Sequence, residues 1–208
     1  MARLKQATAS WHDGLEALPR MRRLVDPALT RGEYLEILWR FYRSHRIVEG
    51  HLRARAGVWE VRGLDWSSRL GKTRWLEEDL RRLDPDAWGL FHDGPDSALA
   101  IPADRDGGDN LVPYQGDDLA HAAGCLYVLE GATLGSRVIL GLLGRARERP
   151  AEGATRFFQG YGPRTGERWA ALGRDLQTHL GQDEEALTQA LTTARETYAL
   201  LGVILGGR

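Results

Sequence analysis

The chain has 208 residues, a formal net charge of −1, 42% hydrophobic residues and 27% charged residues. This composition is typical of a globular protein that buries one core, and we expect a single domain over residues 1–208. The near-neutral charge does not favour a nucleic acid or an anionic membrane as the partner. The N-terminus lacks an apolar signal region, which favours a cytoplasmic protein. The single cysteine, Cys125, lies in an apolar run and is expected to be buried rather than reactive.

The first predicted helix has an apolar face and one histidine at its edge. Pro19 helps to end this helix, because proline disfavours a helical residue before it. Apolar side chains at helical spacing define the face, and two polar residues border it: Leu4, Trp11, Leu15 and Leu18 form the face, with Thr8 and His12 at its edge.

A second, longer helix is predicted to begin at a capping box. Thr30 and Glu33 have the required spacing, since each side chain can bond the other residue's backbone N–H. The buried positions then recur at helical spacing: Tyr34, Leu38, Phe41, His45, Val48 and Leu52. We expect His45 to be a core or pocket residue, whereas His51, His92 and His179 are expected at surface or loop positions.

The rest of the chain also predicts helices, interrupted by one long loop. A third helix is expected near Gly71 to Leu83. Residues 84–117 are predicted to form a loop with one helical turn around Trp88 to Phe91. The remaining predictions are a fourth helix over Asp118 to Leu143 with His121 near its cap, a short one within Glu152 to Gly160, a sixth capped by Thr165, and a last one from Asp183. The fold class is therefore all-α, with about seven helices around one core.

The fourth helix is the most apolar stretch of the chain. Its charged residues Glu130 and Arg137, together with its glycines, argue against a membrane span. Gly131 and Gly135 share one face, and Gly124 precedes them by two turns. Each glycine inside a helix costs about 1 kcal/mol relative to alanine, so something must offset that cost. Either a flat ligand or a closely packed helix lies against the bare backbone.

His12 is the first candidate metal ligand. Glu16 lies one turn further on the same helix face, where it can accept the second N–H of a metal-bound imidazole and fix its tautomer. The alternative is a half-exposed histidine beside a surface glutamate.

Two segments of this chain resemble the heme oxygenases. Leu4-Lys5-x-Ala7-Thr8-x-x-x-His12 resembles their opening helix, and the run from Gly124 to Gly135 resembles their distal helix. Phe157-Phe158-x-Gly160-Tyr161-Gly162, followed by Thr165-Gly166-x-x-Trp169, is similar to the bacterial branch associated with bacteriophytochromes.

The resemblance implies a single-domain, all-α heme oxygenase-like bundle with heme between a proximal and a distal helix. His12 then matches the iron ligand and Glu16 the carboxylate that orients it. Lys5 matches a residue near the heme propionates, with Arg174 a looser second match. Tyr127 is a further pocket residue that the resemblance implies. Gly131 and Gly135 match the catalytic glycines that let the distal backbone approach heme and bound oxygen.

The implied activity is degradation of heme, as both substrate and cofactor, to biliverdin, carbon monoxide and ferrous iron. It requires O2 and an external electron donor such as a ferredoxin or a flavoprotein reductase. An apo-bacteriophytochrome is the implied acceptor of biliverdin. Many relatives carry an aspartate directly after the first distal glycine, but this chain has Ala132, and Ser136 replaces the second glycine of a Gly-Gly pair.

The Ala132 departure motivates an alternative, a non-catalytic heme carrier or sensor on the same fold. An all-α thiamine-degrading enzyme is a further alternative. It would need a nucleophilic cysteine with acidic partners, and Cys125 has none at short spacing.

Overall fold

A computed structural model describes residues 1–86, 88, 118–147, 150–151 and 153–207. Over these residues the protein is all-α and contains no strand, which confirms the predicted fold class. Most of the predicted loop, including the turn expected around Trp88 to Phe91, lies outside the described residues. The helices with described bounds are α1 (Ala2–Glu16), α2 (Pro19–Leu24), α3 (Arg31–Arg53), α4 (Gly57–Glu60), α5 (Lys72–Leu83), α6 (Asp118–Leu143), α7 (Arg156–Gln159), α8 (Thr165–Leu180) and α9 (Glu184–Gly206).

Local capping explains where several helices begin. The Thr30 side chain accepts the Glu33 backbone N–H while Glu33 accepts that of Thr30, which confirms the capping box of α3. Asp183 caps α9, which begins close to the predicted position. Thr165 is instead the first residue of α8, and its hydroxyl donates to the Gly162 carbonyl. Thr165 is therefore not the cap that the sequence predicted.

Two predicted burial assignments are wrong. Trp11 is 43% exposed, because the buried face of α1 contains Leu4 and Thr8 and turns Trp11 towards solvent. His51 is buried rather than at the surface. Its Nε2 lies 2.7 Å from Nε2 of His121, where α3 meets the start of α6. This contact places both imidazoles inside the fold, and burial lowers the pKa of His121 to about 4.

The central element is α6. Every residue from Leu119 to Glu130 is buried, and the helix packs mainly against α9 and also against α3, α7 and α8. A helix that is apolar all round belongs in a core. Among the described helices, only α6 has the length and composition that could also cross a membrane, with a mean hydropathy of 1.4. Core helices of globular proteins share those properties.

The second half of α6 is different, because several of its residues face open space. Beyond Glu130, Ala132, Leu134 and Gly135 are all exposed. The continuous run of buried residues in α6 therefore ends at Glu130, and the candidate site begins there.

A buried ion cluster holds α6 at that turn. Glu130 is 1% exposed and accepts from Lys72 Nζ at 2.5 Å, Tyr161 Oη at 2.7 Å and Arg69 Nη1 at 2.8 Å. Burial alone would raise the pKa of Glu130, but Lys72, Tyr161 and Arg69 together hold it below its ordinary value. The carboxylate is therefore ionised in the folded protein and joins α6 to α5.

We expect Glu130→Gln to lower the free energy of unfolding by about 3–5 kcal/mol at pH 7, because the change leaves two buried cations without their anion. Urea unfolding measures the loss. Since the pKa of Glu130 is depressed on folding, its stabilisation is present above the unfolded carboxyl pKa of about 4.3 and lost as the pH falls through the lower folded value. The difference between wild type and variant should therefore narrow in acid.

The exposed pair of Arg3 and Glu184 supplies the control for that experiment. The two groups lie 2.6 Å apart in solvent, where an ion pair adds little stability. Glu184→Gln should leave the unfolding transition nearly unchanged. An equally small effect of Glu130→Gln would contradict the role given to the buried cluster.

Candidate functional site

A cavity of about 690 Å³, counted out to its open mouth, lies beside the second half of α6. Its lining is mostly apolar with a few polar side chains, which is typical of small-molecule binding sites. Six helices contribute to its wall: α1 with His12, Leu15 and Glu16; α2 with Met21; α3 with Phe41 and His45; α6 with Val128, Gly131, Ala132, Gly135, Ser136 and Ile139; α7 with Phe157 and Phe158; and α9 with Tyr198 and Leu201.

The face of α6 that lines the cavity is set by helix geometry. At 3.6 residues per turn, the six lining residues of α6 form one face centred roughly opposite Glu130. The ion pairs of Glu130 therefore hold α6 on the side away from the cavity. The same ion pairs turn the glycine-bearing face of α6 towards the cavity.

The back of the cavity is aromatic. The ring centroids of Phe41 and Phe157 lie 5.2 Å apart, and those of Phe157 and Phe158 lie 5.1 Å apart. Asp79 of α5 accepts the backbone N–H groups of Arg156 and Phe157 at 2.7 and 2.8 Å. This carboxylate caps the start of α7 and fixes both phenylalanines. The left-handed conformation of Gly160, with φ of +52°, then ends α7.

His12 and Glu16 lie at the mouth of the cavity. Nε2 of His12 is 3.6 Å from Glu16 Oε1, and Nδ1 is 3.5 Å from Asp13 Oδ1. The His12 side chain is 51% exposed, and its ring meets the Tyr198 ring edge-on at 6.4 Å. One ring nitrogen can therefore bind a metal while the other donates to a carboxylate. Sequence reasoning missed Asp13, although its place directly after His12 was visible.

The glycines of α6 have two different explanations. A Cβ added to Gly124 would lie 2.5 Å from the Ala190 carbonyl oxygen and 2.8 Å from Thr193 Cβ, so close packing against α9 requires this glycine. A Cβ added to Gly135 would meet nothing within 4 Å. No described protein atom accounts for the glycine at 135, which lines the cavity. Its missing side chain instead leaves room for a ligand.

Gly131 is intermediate between these cases. A Cβ at this position would touch the Trp169 ring at 3.7 Å, an ordinary contact distance. Ser136 also lines the cavity, and its hydroxyl donates to the Ala132 carbonyl at 3.2 Å, which leaves the serine side chain folded onto its own helix.

The structure brings together His12, Glu16, Gly131, Gly135 and Ser136 of the predicted site residues. Lys5, Tyr127 and Arg174 are not among the described residues that line the cavity. Lys5 is exposed two turns before His12, and Arg174 is exposed on α8. Tyr127 is buried and packs against the Trp169 ring at 5.5 Å.

Cys125 takes no part in this cavity. It is fully buried, and burial raises the pKa of its thiol to about 12. The expectation of a buried, unreactive cysteine is confirmed, and a thiolate nucleophile at this position has no support.

The sequence and the fold match known proteins. The sequence fits the profile of the heme oxygenase family over residues 1–205, and the chain belongs to that family. The fold is similar to that of the heme oxygenase from Leptospira interrogans, with a TM-score of 0.74, 16% identity, and coverage of 98% of this chain and 96% of that one. At that identity the likeness shows a shared fold. A search of curated protein sequences finds no significant match.

We expect opposite effects from the same substitution at two glycines. Gly124→Ala should lower the free energy of unfolding by about 1–3 kcal/mol, because its Cβ would collide with the backbone of α9. Gly135→Ala should raise it by up to about 1 kcal/mol, because alanine favours the helix and meets open space. Urea unfolding of the ligand-free protein measures both. Equal destabilisation by the two changes would show that Gly135 is also required for packing.

Proposed function

We propose that this protein is a heme oxygenase that binds heme in the cavity between α1 and α6. The observation that carries the proposal is the pairing of an imidazole with a cavity-facing glycine that no protein contact explains. The mostly apolar lining suits a porphyrin ring. Residues 1–208 would act as one domain, in the cytoplasm.

Under this proposal His12 is the iron ligand and Glu16 accepts its second N–H. The two carboxylates beside His12 let either ring nitrogen face the iron once the ring turns about its side-chain bonds. Lys5 lies on the same face of α1 as His12, about 10 Å along the helix axis. A lysine at that distance suits a propionate at the edge of the ring. Arg174 and Tyr127 are proposed binding residues by resemblance alone.

The main contribution of α6 is to restrict the space beside the ring. Gly131 and Gly135 expose backbone to the cavity, so the helix can approach a bound ligand more closely than any side chain would allow. Bound heme supplies the redox chemistry, using O2 and electrons from a ferredoxin or flavoprotein reductase, and the products are biliverdin, carbon monoxide and ferrous iron. The protein's contribution is orientation of the reacting atoms and exclusion of bulk water.

The finer assignments rest on the sequence resemblance. These are biliverdin as the product, the bacteriophytochrome-associated branch, and an apo-bacteriophytochrome as acceptor. Family and fold support heme degradation in general, and neither favours the alternative of a non-catalytic heme carrier or sensor. Incubating the hemin complex with a reductant and O2 separates the two functions, because an oxygenase consumes the heme absorption band and releases a bilin.

We expect His12→Ala to abolish the histidine-ligated absorption spectrum of the hemin complex and its turnover, because the variant lacks the proposed iron ligand. Added imidazole should restore part of the spectrum. The matched control is His179→Ala, which removes an exposed histidine of α8 and should change neither property. A wild-type spectrum in His12→Ala would show that another residue binds the iron.

We expect Gly135→Leu to retain hemin but to lower the rate of bilin formation about 100-fold, since a small displacement of reacting groups can have that effect. Hemin titration followed by absorption, and pigment release with a reductant and O2, measure the two properties separately. Undiminished bilin formation would contradict the role proposed for the bare backbone at 135.

A further inference from the structure

His45 is a buried polar residue whose second nitrogen has no partner. The residue is fully buried and lines the cavity from α3. Its Nδ1 lies 2.8 Å from the Phe41 carbonyl oxygen, whereas its Nε2 has no hydrogen-bond partner among the described residues. Buried polar atoms are nearly always paired, so this nitrogen indicates a partner that enters the cavity.

The hydrogen bond of Nδ1 fixes what Nε2 can do. A carbonyl oxygen only accepts, so Nδ1 carries the proton and Nε2 presents a lone pair. Burial lowers the pKa of His45 to about 4, which keeps the ring neutral at physiological pH. The charges that act on it, Glu49 of α3 and Lys72 of α5, have opposite effects. Nε2 is therefore a hydrogen-bond acceptor and cannot donate.

The surroundings of His45 make this acceptor distinctive. The Phe157 ring stands edge-on to the imidazole at 5.0 Å, and the Phe41 ring lies at 6.0 Å. Ser136, on the opposite element α6, directs its hydroxyl back to the Ala132 carbonyl. The other ionisable side chains of the described lining are His12 and Glu16, at the exposed mouth, and Tyr198 of α9, whose pKa burial raises to about 12. His45 thus supplies an acceptor deep in an apolar part of the cavity.

We propose that Nε2 of His45 accepts a hydrogen bond from a water molecule held between bound heme and α6, and so positions that water for proton delivery. The inference rests on the proposed function. Ala132 cannot hold such a water through its side chain, whereas the unprotonated Nε2 of His45, like a carboxylate oxygen, accepts a hydrogen bond without donating one. A water with His45 as one partner keeps its second hydrogen for the bound ligand. His45 acts through that water, so it is a positioning residue.

The first experiment compares hemin complexes of wild type and His45→Phe by absorption during a pH titration. His45→Phe keeps a ring in the cavity but removes the acceptor, and the Phe41 carbonyl retains the Ser44 hydroxyl as a donor at 2.9 Å. In the ferric complex without O2, the water that donates to Nε2 would itself be the ligand of the iron. Water is a better hydrogen-bond donor than hydroxide, so the acceptor Nε2 would stabilise the water form and raise the midpoint. Losing it should lower the midpoint of the acid–alkaline change by about one pH unit, the size of one hydrogen bond.

Two further variants separate the hydrogen bond from packing. Phe41→Leu alters the same wall of the cavity without touching a polar side-chain atom, and its midpoint should remain within about 0.3 unit of wild type. Ala132→Asp added to His45→Phe places a carboxylate on the cavity face of α6 and should return the midpoint to the wild-type value or above. The rate of bilin formation should fall at least about tenfold in His45→Phe and recover in the double variant.

The outcomes distinguish this inference from the proposed function. If wild type binds hemin and forms a bilin, but His45→Phe has the same midpoint and rate, the role of His45 is overturned and the function stands. If wild type does not bind hemin, the proposed function fails. An equal shift in Phe41→Leu would show a packing effect and would also overturn the role of His45.

A second measurement does not depend on any variant folding. In wild type labelled with ¹⁵N-histidine, the nitrogen resonances of His45 should report a proton on Nδ1 and none on Nε2, with titration only near pH 4. Adding diamagnetic gallium protoporphyrin should shift the Nε2 resonance in the direction of an accepted hydrogen bond. A proton on Nε2, or an Nε2 resonance unchanged by the porphyrin, would contradict the proposal.

Discussion

The candidate site depends on the buried carboxylate of Glu130. Lys72 and Arg69 can be desolvated only because this anion faces them, and the anion in turn can stay ionised only because they surround it. These ion pairs fix the position of α6 one residue before Gly131, the first glycine that faces the cavity. Glu49 is a second buried carboxylate that joins helices, because it accepts the backbone N–H groups of Lys72 and Thr73 at the start of α5. Helix α5 therefore connects α3, α6 and, through Asp79, α7.

Much of the fold follows from local sequence signals. The capping box at Thr30, the periodic apolar residues of α3 and the aspartate cap of α9 act within a few residues of each other, so the sequence shows them directly. Trp11 and His51 were misplaced because their burial depends on distant partners. For Trp11 the deciding contact is between α1 and α9, and for His51 it is the meeting of α3 with His121. Neither contact leaves a periodic signal in the sequence.

The sequence predicted residues of the candidate site, but it could not show which neighbour explains each glycine. The stripe of Gly124, Gly131 and Gly135 suggested one cause, either a ligand or a neighbouring helix. In the structure the two glycines have different surroundings: α9 occupies the space beside Gly124, and the space beside Gly135 belongs to the cavity. Spacing cannot separate them, because the distinction depends on which neighbour each bare Cα faces. For the same reason the sequence did not reveal that Nε2 of His45 has no hydrogen-bond partner among the described residues.

The chemistry of the cavity depends on where the charged side chains lie around it. The His12 and Glu16 side chains of the described lining lie at the mouth, and the strongly paired charges lie behind α6, on the side away from the cavity. An aspartate at 132 would bring a negative charge to the cavity wall, whereas His45 brings an uncharged acceptor from α3. A neutral acceptor binds water without attracting a cation. It also avoids the free-energy cost of burying a charge in an apolar site. The absence of a carboxylate at position 132 is therefore compatible with an ordered water in the same cavity, held from the other wall.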